Sequence, residues 1–358
     1  MSDDSYPPEL APVRSGEELD WPAVETYVRA HIEGLGPLTD VRQFPNGSAN
    51  LTYLLAFEAR PLVLRRPPFG HVAAGAHDMR REHRALSVLW RSFDRAPRAY
   101  LVCTDHDVIG ADFLVSEYRA GQVIWGTAPP SMAHHADLGR RVGLAVVDAL
   151  AELHVVDPDA AGLAELGRPD GFLERQVRGW RDRWKASADG FDVPLMDEVG
   201  DRLAATLPAS PRPSILHNDY KVDNCQFDPA DPDRVRSIFD WDMATLGDPL
   251  VDLGILLNYW PDPADAPIDG PVFPEGLDRF GLPTRAEVVA RYGERTGQPV
   301  DGVPWYEAFA AWKTGVVLQQ LHRRFLRGET TDERQGNKGG ERVVSQARRA
   351  ARILEGLR

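Results

Sequence analysis

The segment His217-Asn-Asp-Tyr-Lys-Val-Asp-Asn224 places an acid, Asp219, five residues ahead of an amide, Asn224. It is a polar stretch that follows an apolar strand pattern, Ser214-Ile-Leu-His217. Sixteen residues after Asn224 a second strand pattern, Val235-Arg-Ser-Ile-Phe239, ends in Asp240-Trp-Asp-Met243. Phosphoryl transfer uses these residue types. A loop carboxylate can accept the proton of an attacking hydroxyl, which contributes typically ~10²–10⁴-fold. An amide oxygen and a second carboxylate can hold Mg²⁺, a hard cation that takes oxygen ligands and keeps several of its waters. ATP phosphates and bare carboxylates repel one another, so a metal must bridge them, and positioning with charge neutralisation then supplies most of the rate. Asp and Asn also favour turns. What points to chemistry is the ordered set after two apolar strands, not any single member.

The elements that position these residues can be read coarsely. Residues 1 to about 18 are rich in Pro, Ser and acids and are expected to fray. A helix is predicted near Trp21–Ile32, then strands at Leu51–Phe57 and Pro61–Arg65 around a short turn, a helix over Met79–Trp90, and strands at Leu101–Cys103 and Phe113–Tyr118. From about residue 131 the pattern is helical. Leu138, Val142, Val146, Leu150 and Leu153 share one face, Phe172, Gln176, Trp180 and Trp184 recur every four residues, and Val199–Leu207 is a shorter candidate. Helical periodicity returns at Leu250–Trp260, Trp305–Phe325 and Arg342–Leu357, and the polar stretch 328–341 between the last two is expected to be mobile. The expected class is α+β. A flexible tail (1–18) precedes a small antiparallel sheet lobe (19–118) and a larger, mainly helical lobe (119–358).

The 41 Lys and Arg against 54 Asp and Glu give a net charge of −13, so no global attraction to nucleic acid or anionic membrane is expected. At 43% hydrophobic and 27% charged residues, the composition suits a soluble globular enzyme and argues against disorder, collagen and coiled coil. Cys103 and Cys225 are too few for a disulfide scaffold or a cysteine zinc site. Met1-Ser-Asp-Asp has no apolar core and no apolar run is long enough to span a bilayer, so a reducing, cytoplasmic location is expected. In Phe44-Pro-Asn-Gly-Ser-Ala-Asn-Leu-Thr52, Gly47 would let backbone approach a phosphate, with Ser48 and Asn50 as donors.

His217-x-Asp219-x-x-x-x-Asn224 followed by Asp240 resembles the catalytic loop and metal aspartate of the protein-kinase-like fold, in the variant of the aminoglycoside phosphotransferase and choline kinase family. Asp240-Trp-Asp-Met-Ala-Thr-Leu-Gly-Asp-Pro-Leu-Val-Asp-Leu-Gly254, Val102–Gly110 and Leu150-Ala-Glu-Leu-His154 resemble the phosphotransferase domains related to those fused to acyl-CoA dehydrogenases. The likeness spans about residues 40 to 330. It implies an ATP- and Mg²⁺-dependent transfer to a hydroxyl, with Asp219 as base and Asn224 and Asp240 as metal ligands. Lys221 would touch the transferred phosphate or stand as a solvated loop lysine. Asp242 would assist the metal or cap the next turn, while Asp248 and Asp252 would fix loop and helix. Arg65 sits where kinases place a phosphate-contacting Lys, with Arg66 as the alternative in register and Glu82 as the ion-pair partner. Arg keeps a permanent charge and a rigid fork, so that pairing remains sensible. Ser116-Glu117-Tyr118 falls at the hinge, whose backbone would bind adenine. Asn218 stands where the family commonly has Gly. His154 is expected to be a packed core histidine, Cys225 to point into the apolar layer under the loop, and Trp180 and Trp184 to be core.

The expected partner is a small-molecule hydroxyl acceptor. Arg175, Arg178, Arg181, Arg183 and Lys185 on one helix, and His322-Arg-Arg324 with Arg327 on another, would suit an anion if they line the acceptor side; otherwise they are solvated faces. The resemblance implies a hydroxyacyl-CoA, with an aminoglycoside second. A catalytically inactive nucleotide-binding scaffold of the same fold is the third possibility.

Overall fold

A computed structural model describes residues 10–45, 50–69, 78–188, 190–210, 212–262, 272–328, 336 and 339–357. Gly47 and Ser48 lie outside the described residues, as does most of 328–341. The chain divides into two compact units. One holds the stretch ending at Gly121 together with Ala161–Leu166 and Ser237–Ala244, and the other holds the remainder.

The first unit is built on five strands in the order β1-β2-β3-β5-β4: β1 (Leu38–Gln43), β2 (Leu51–Phe57), β3 (Pro61–Arg66), β4 (Ala99–Cys103) and β5 (Phe113–Glu117). Every pairing is antiparallel. Helix α1 (Trp21–His31) opens on Asp20, whose side chain accepts from the Ala23 N–H, and buries Val24 and Val28. These join Tyr53, Leu55, Phe57, Leu62 and Leu64 in one cluster. Strand side chains alternate faces, so Leu62 and Leu64 claim that face and Arg65 goes to the other. Helix α2 (Met79–Leu86) packs on β4 and β5. It starts at Asp78, which caps the Arg80 and Arg81 N–H groups, and buries Met79, Glu82, Ala85 and Leu86. The helix expected to reach Trp90 stops at Leu86, with a single 3₁₀ turn at Leu89–Arg91.

The segment expected to fray is fastened from Ala11 on. Ala11 and Gln43 exchange backbone hydrogen bonds, the Arg14 N–H donates to Gln43 Oε1, and the Tyr53 hydroxyl donates to the Glu17 carbonyl. These bonds satisfy part of the β1 edge, which composition could not reveal. Helix α3 (His106–Ile109) completes this unit.

The second unit is mainly helical: α4 (Leu138–His154), α5 (Phe172–Ser187), α6 (Pro194–Ala205), α7 (Leu250–Asn258), α8 (Arg285–Thr296), α9 (Val303–Leu326) and α10 (Glu341–Glu355). Every residue of α7 is buried. Long α9 packs against α5, α6, α7 and α10. Gly254 lets α7 and α9 approach, since a Cβ there would stand 2.5 Å from the Tyr306 carbonyl oxygen. Short strands carry the loops: β7 (Ser214–Leu216) pairs with β10 (Thr245–Gly247), and β8 (Cys225–Asp228) lies between β6 (Gln122–Val123) and β9 (Asp231–Ile238). Sequence periodicity gave no sign of α8 because only Val288 and Tyr292 are buried on it, although Thr284 and Glu287 form a capping box at its start. Among the described residues no helix is long and apolar enough to cross a membrane.

Candidate active site

In the second unit β7 delivers the chain into the loop His217-Asn-Asp-Tyr-Lys221. Buried Asp252, on the first turn of α7, accepts the N–H groups of His217 and Asn218, both at 2.7 Å. Asp252 also lies 3.3 Å from His154 Nε2, and His154 Nδ1 lies 2.7 Å from the Tyr292 hydroxyl. A carboxylate can only accept here, so Nε2 carries the proton and Nδ1 accepts from Tyr292. Burial holds the Tyr292 hydroxyl well above its ordinary range, which keeps it a donor. His154 is thus a buried, hydrogen-bonded positioner of Asp252. Asp248 accepts from the Leu250 N–H at 3.0 Å and the Tyr306 hydroxyl at 2.6 Å, which pins the start of α7.

The loop turns through Asn218 in the left-handed region, φ 67°. Asp219 follows. Its Oδ2 accepts from Lys221 Nζ at 2.9 Å and from Asn224 Nδ2 at 3.3 Å, and Asn224 Nδ2 also donates to the Asp219 carbonyl at 2.8 Å. Among the described residues no hydrogen bond is recorded at Asp219 Oδ1, and the side chain is 29% exposed. Because Asn224 donates through nitrogen, its amide oxygen is the end suited to a cation. Lys221 stands 5.4 Å from the centre of the Tyr259 ring. Burial opposes its charge, but Asp219 and then Asp223 hold its pKa well above the usual lysine value. The Tyr220 hydroxyl donates to the Val146 carbonyl beneath the loop, and Cys225 is buried there. Sequence reading missed Lys313 of α9, whose Nζ lies 3.2 Å from both the carbonyl and the side-chain oxygen of Asn218.

In the first unit Arg65 is buried between two carboxylates. It pairs with Glu82 through Nη1 and with Asp240 through Nη2, the latter at 2.6 Å. The contact with Asp240 was not legible in the sequence. Arg66 is not the partner: its Nε donates to the Pro67 carbonyl and its guanidinium lies 4.0 Å from the centre of the Phe69 ring. Burial pushes the Glu82 carboxyl up against the pull of Arg65, and the Trp241 backbone N–H also donates to it. Glu82 therefore holds both the guanidinium and the turn that carries Asp240, which is itself left-handed at φ 71°. Burial, and then the charge of Asp240, push Asp242 up to about 7. Asn50 Nδ2 donates to Asp242 at 3.3 Å, and among the described residues nothing hydrogen-bonds the buried Asn50 Oδ1.

Two crowded carboxylates beside an unpaired amide oxygen fit a hard cation, which would relieve their repulsion. Among the described residues no three His, Cys, Asp or Glu side chains gather as a metal site. Glu117 ends β5 with its N–H donating to the Arg98 carbonyl at 2.8 Å and its carboxylate accepting from the Arg98 N–H and Arg119. Its N–H is therefore committed inside the protein. Tyr118 follows it, half-buried.

A family model described as a phosphotransferase enzyme family matches residues 40–290. The chain belongs to that family. The chain is 30% identical over 325 residues to acyl-CoA dehydrogenase family member 11 of Mus musculus, covering 88% of this chain and 41% of that protein. To family member 10 of Mus musculus it is 29% identical over 329 residues, covering 90% of this chain and 30% of that one. The chain thus spans less than half the length of these relatives. Among solved structures, a candidate aminoglycoside phosphotransferase from Ralstonia eutropha has 29% identity and a TM-score of 0.77, covering 95% of this chain and 99% of that one. APH(4)-Ia, solved with AMP-PNP and hygromycin B, has 15% identity and a TM-score of 0.57, covering 93% and 98%, and so attests the fold alone.

The basic helix α5 is partly spoken for. Arg175 donates to the carbonyls of Arg168 and Asp170, and Arg181 pairs with Asp201 of α6. Arg183 stacks 4.5 Å from the centre of the Trp180 ring.

Proposed function

We propose that this phosphotransferase moves the γ-phosphate of ATP to a hydroxyl of a small molecule, with a hydroxyacyl-CoA as the first-ranked acceptor. The observation that carries the reaction class is Asp219: one carboxylate oxygen is anchored by Lys221 and Asn224, and the other, without a hydrogen bond among the described residues, can receive a hydroxyl proton. Asn224 and Asp240 are the proposed ligands of Mg²⁺, which when bound would neutralise the phosphate charge. Lys221, held charged by Asp219, is suited to the transferred phosphate, and the Arg65–Glu82 pair to the nucleotide phosphates. APH(4)-Ia, which shares the fold, is solved with AMP-PNP. The acyl-CoA class draws support from the names of the two mouse relatives. The Ralstonia eutropha structure favours an aminoglycoside as the second acceptor class.

The test is mass spectrometry of the protein incubated with Mg-ATP and a panel of hydroxyacyl-CoAs, aminoglycosides and simple alcohols. A CoA thioester gaining one phosphate supports the proposal, and phosphorylated aminoglycoside alone would replace its acceptor. Absence of any phosphorylated product, with a thermal shift on ATP that ignores Mg²⁺, would point to an inactive scaffold.

A further inference from the structure

Lys313 lies mid-way along α9, is 7% exposed, and has no part in the chemistry above. Its Nζ stands 3.2 Å from the Asn218 carbonyl oxygen and 3.2 Å from Asn218 Oδ1. The Trp180 ring centre lies 5.3 Å from the amine. The charges around it are Asp219 and Asp252, which favour its protonation, and Arg183 and Lys221, which oppose it. We propose that Lys313 is a positioning residue for phosphoryl transfer: with Asn218 it forms a matched pair that holds the loop in the shape presenting Asp219.

Residue 218 is gripped from two helices. Asp252 of α7 takes its N–H at 2.7 Å, and Lys313 of α9 takes both of its oxygens. An ammonium has three donors and no acceptor, so it suits two converging oxygens. The left-handed φ of 67° at this position is one that Gly adopts freely and Asn tolerates better than most residues. Gly would satisfy the backbone but would leave Lys313 one acceptor short. Asn meets both needs, which accounts for an amide side chain beside the base. Stability alone does not account for the lysine. A buried charge is costly even when paired, and apolar replacements of such groups are often neutral or stabilising. A position that only filled the core would be served as well by Met.

The proposal rests on the phosphotransfer reading, and its test separates the two. Lys313→Met, Lys313→Gln, Asn218→Gly and the Lys313→Met/Asn218→Gly double variant are compared with wild type. The readouts are hydrogen exchange of the 214–222 segment, melting temperature, and Mg-ATP turnover to ADP with kcat and KM resolved. Lys313→Met should speed exchange of the loop and lower kcat roughly 10–100-fold, the equivalent of one charge-assisted hydrogen bond. The KM for ATP should stay within about twofold, and the melting temperature should hold or rise. Lys313→Gln keeps a donor and should recover part of the loss. The double variant should be no worse than Lys313→Met, because the two residues act as one unit. Unchanged loop exchange, a kcat within about twofold of wild type, or single losses that multiply in the double variant would overturn the pair. If wild type turns over no ATP, the phosphotransfer reading fails by itself, while loop exchange still decides whether Lys313 holds Asn218.

Discussion

Asp252→Asn is the sharpest probe of how the His217–Lys221 loop is held. Asp252 is fully buried and accepts two backbone N–H groups at 2.7 Å, with His154 at 3.3 Å. The amide keeps the volume but has only one accepting atom. One of the two loop N–H groups must then face an NH₂ group. A hydrogen bond to a charged group contributes about 1.5–3 kcal/mol, and a stranded buried donor costs about 1–3 kcal/mol, so a loss of roughly 2.5–6 kcal/mol is expected. At roughly 2–4 °C per kcal/mol for a domain of this size, the melting temperature should fall by roughly 5–24 °C. Urea unfolding followed by tryptophan fluorescence, with calorimetry alongside, measures both. Trp260 and Trp312 are buried in the same unit and report on it. A loss under about 1 kcal/mol would refute the reasoning, because Asp252 would then not be the element that restrains His217 and Asn218.

Further outcomes follow from the same geometry. Asp219→Asn keeps the shape of the loop but removes the proton acceptor, so turnover of Mg-ATP with any productive acceptor should drop ~10²–10⁴-fold with ATP affinity little changed; near-normal turnover would reject Asp219 as base. Glu82→Gln leaves Arg65 buried against Asp240 alone and should cost roughly 3 kcal/mol, the low end for breaking a buried pair, read by chemical denaturation. Lys313 gives a pH signature. Burial lowers its pKa from 10.5 to about 8, so between those values the unfolded chain binds more protons than the folded one, and stability rises with pH. The rise should approach about 3 kcal/mol across that window and be missing in Lys313→Met, as judged from unfolding curves at pH 7, 9 and 10.5.

Much of the candidate site is legible because its signals are local. Asp219 and Asn224 fall in one loop after an apolar strand, and Asp240 ends the next, so order and spacing expose them without tertiary knowledge. Strand alternation puts Leu62 and Leu64 on the α1 face, which leaves Arg65 rather than Arg66 to meet Glu82. The hinge was less legible. The backbone of Ser116-Glu117-Tyr118 reads as a site for adenine, and what spacing does not show is that Arg98, nineteen residues earlier, takes the Glu117 N–H beside the pairing of β4 with β5. The N-terminal stretch reads as tail by composition, yet Ala11, Arg14 and Glu17 bond to β1 and β2.

By itself the sequence determined the α+β class, the faces of the long helices and the order of acid, amide and acid, since these follow from periodicity and from what neighbouring side chains can do. Only the tertiary structure decided that Arg65 would also bind Asp240, 175 residues away, and that Lys313 would grip Asn218 across 95 residues. A lysine on a helix reads as solvated until packing removes its water. Once buried, it must find oxygens wherever the fold brings them, and spacing along the chain carries no record of that.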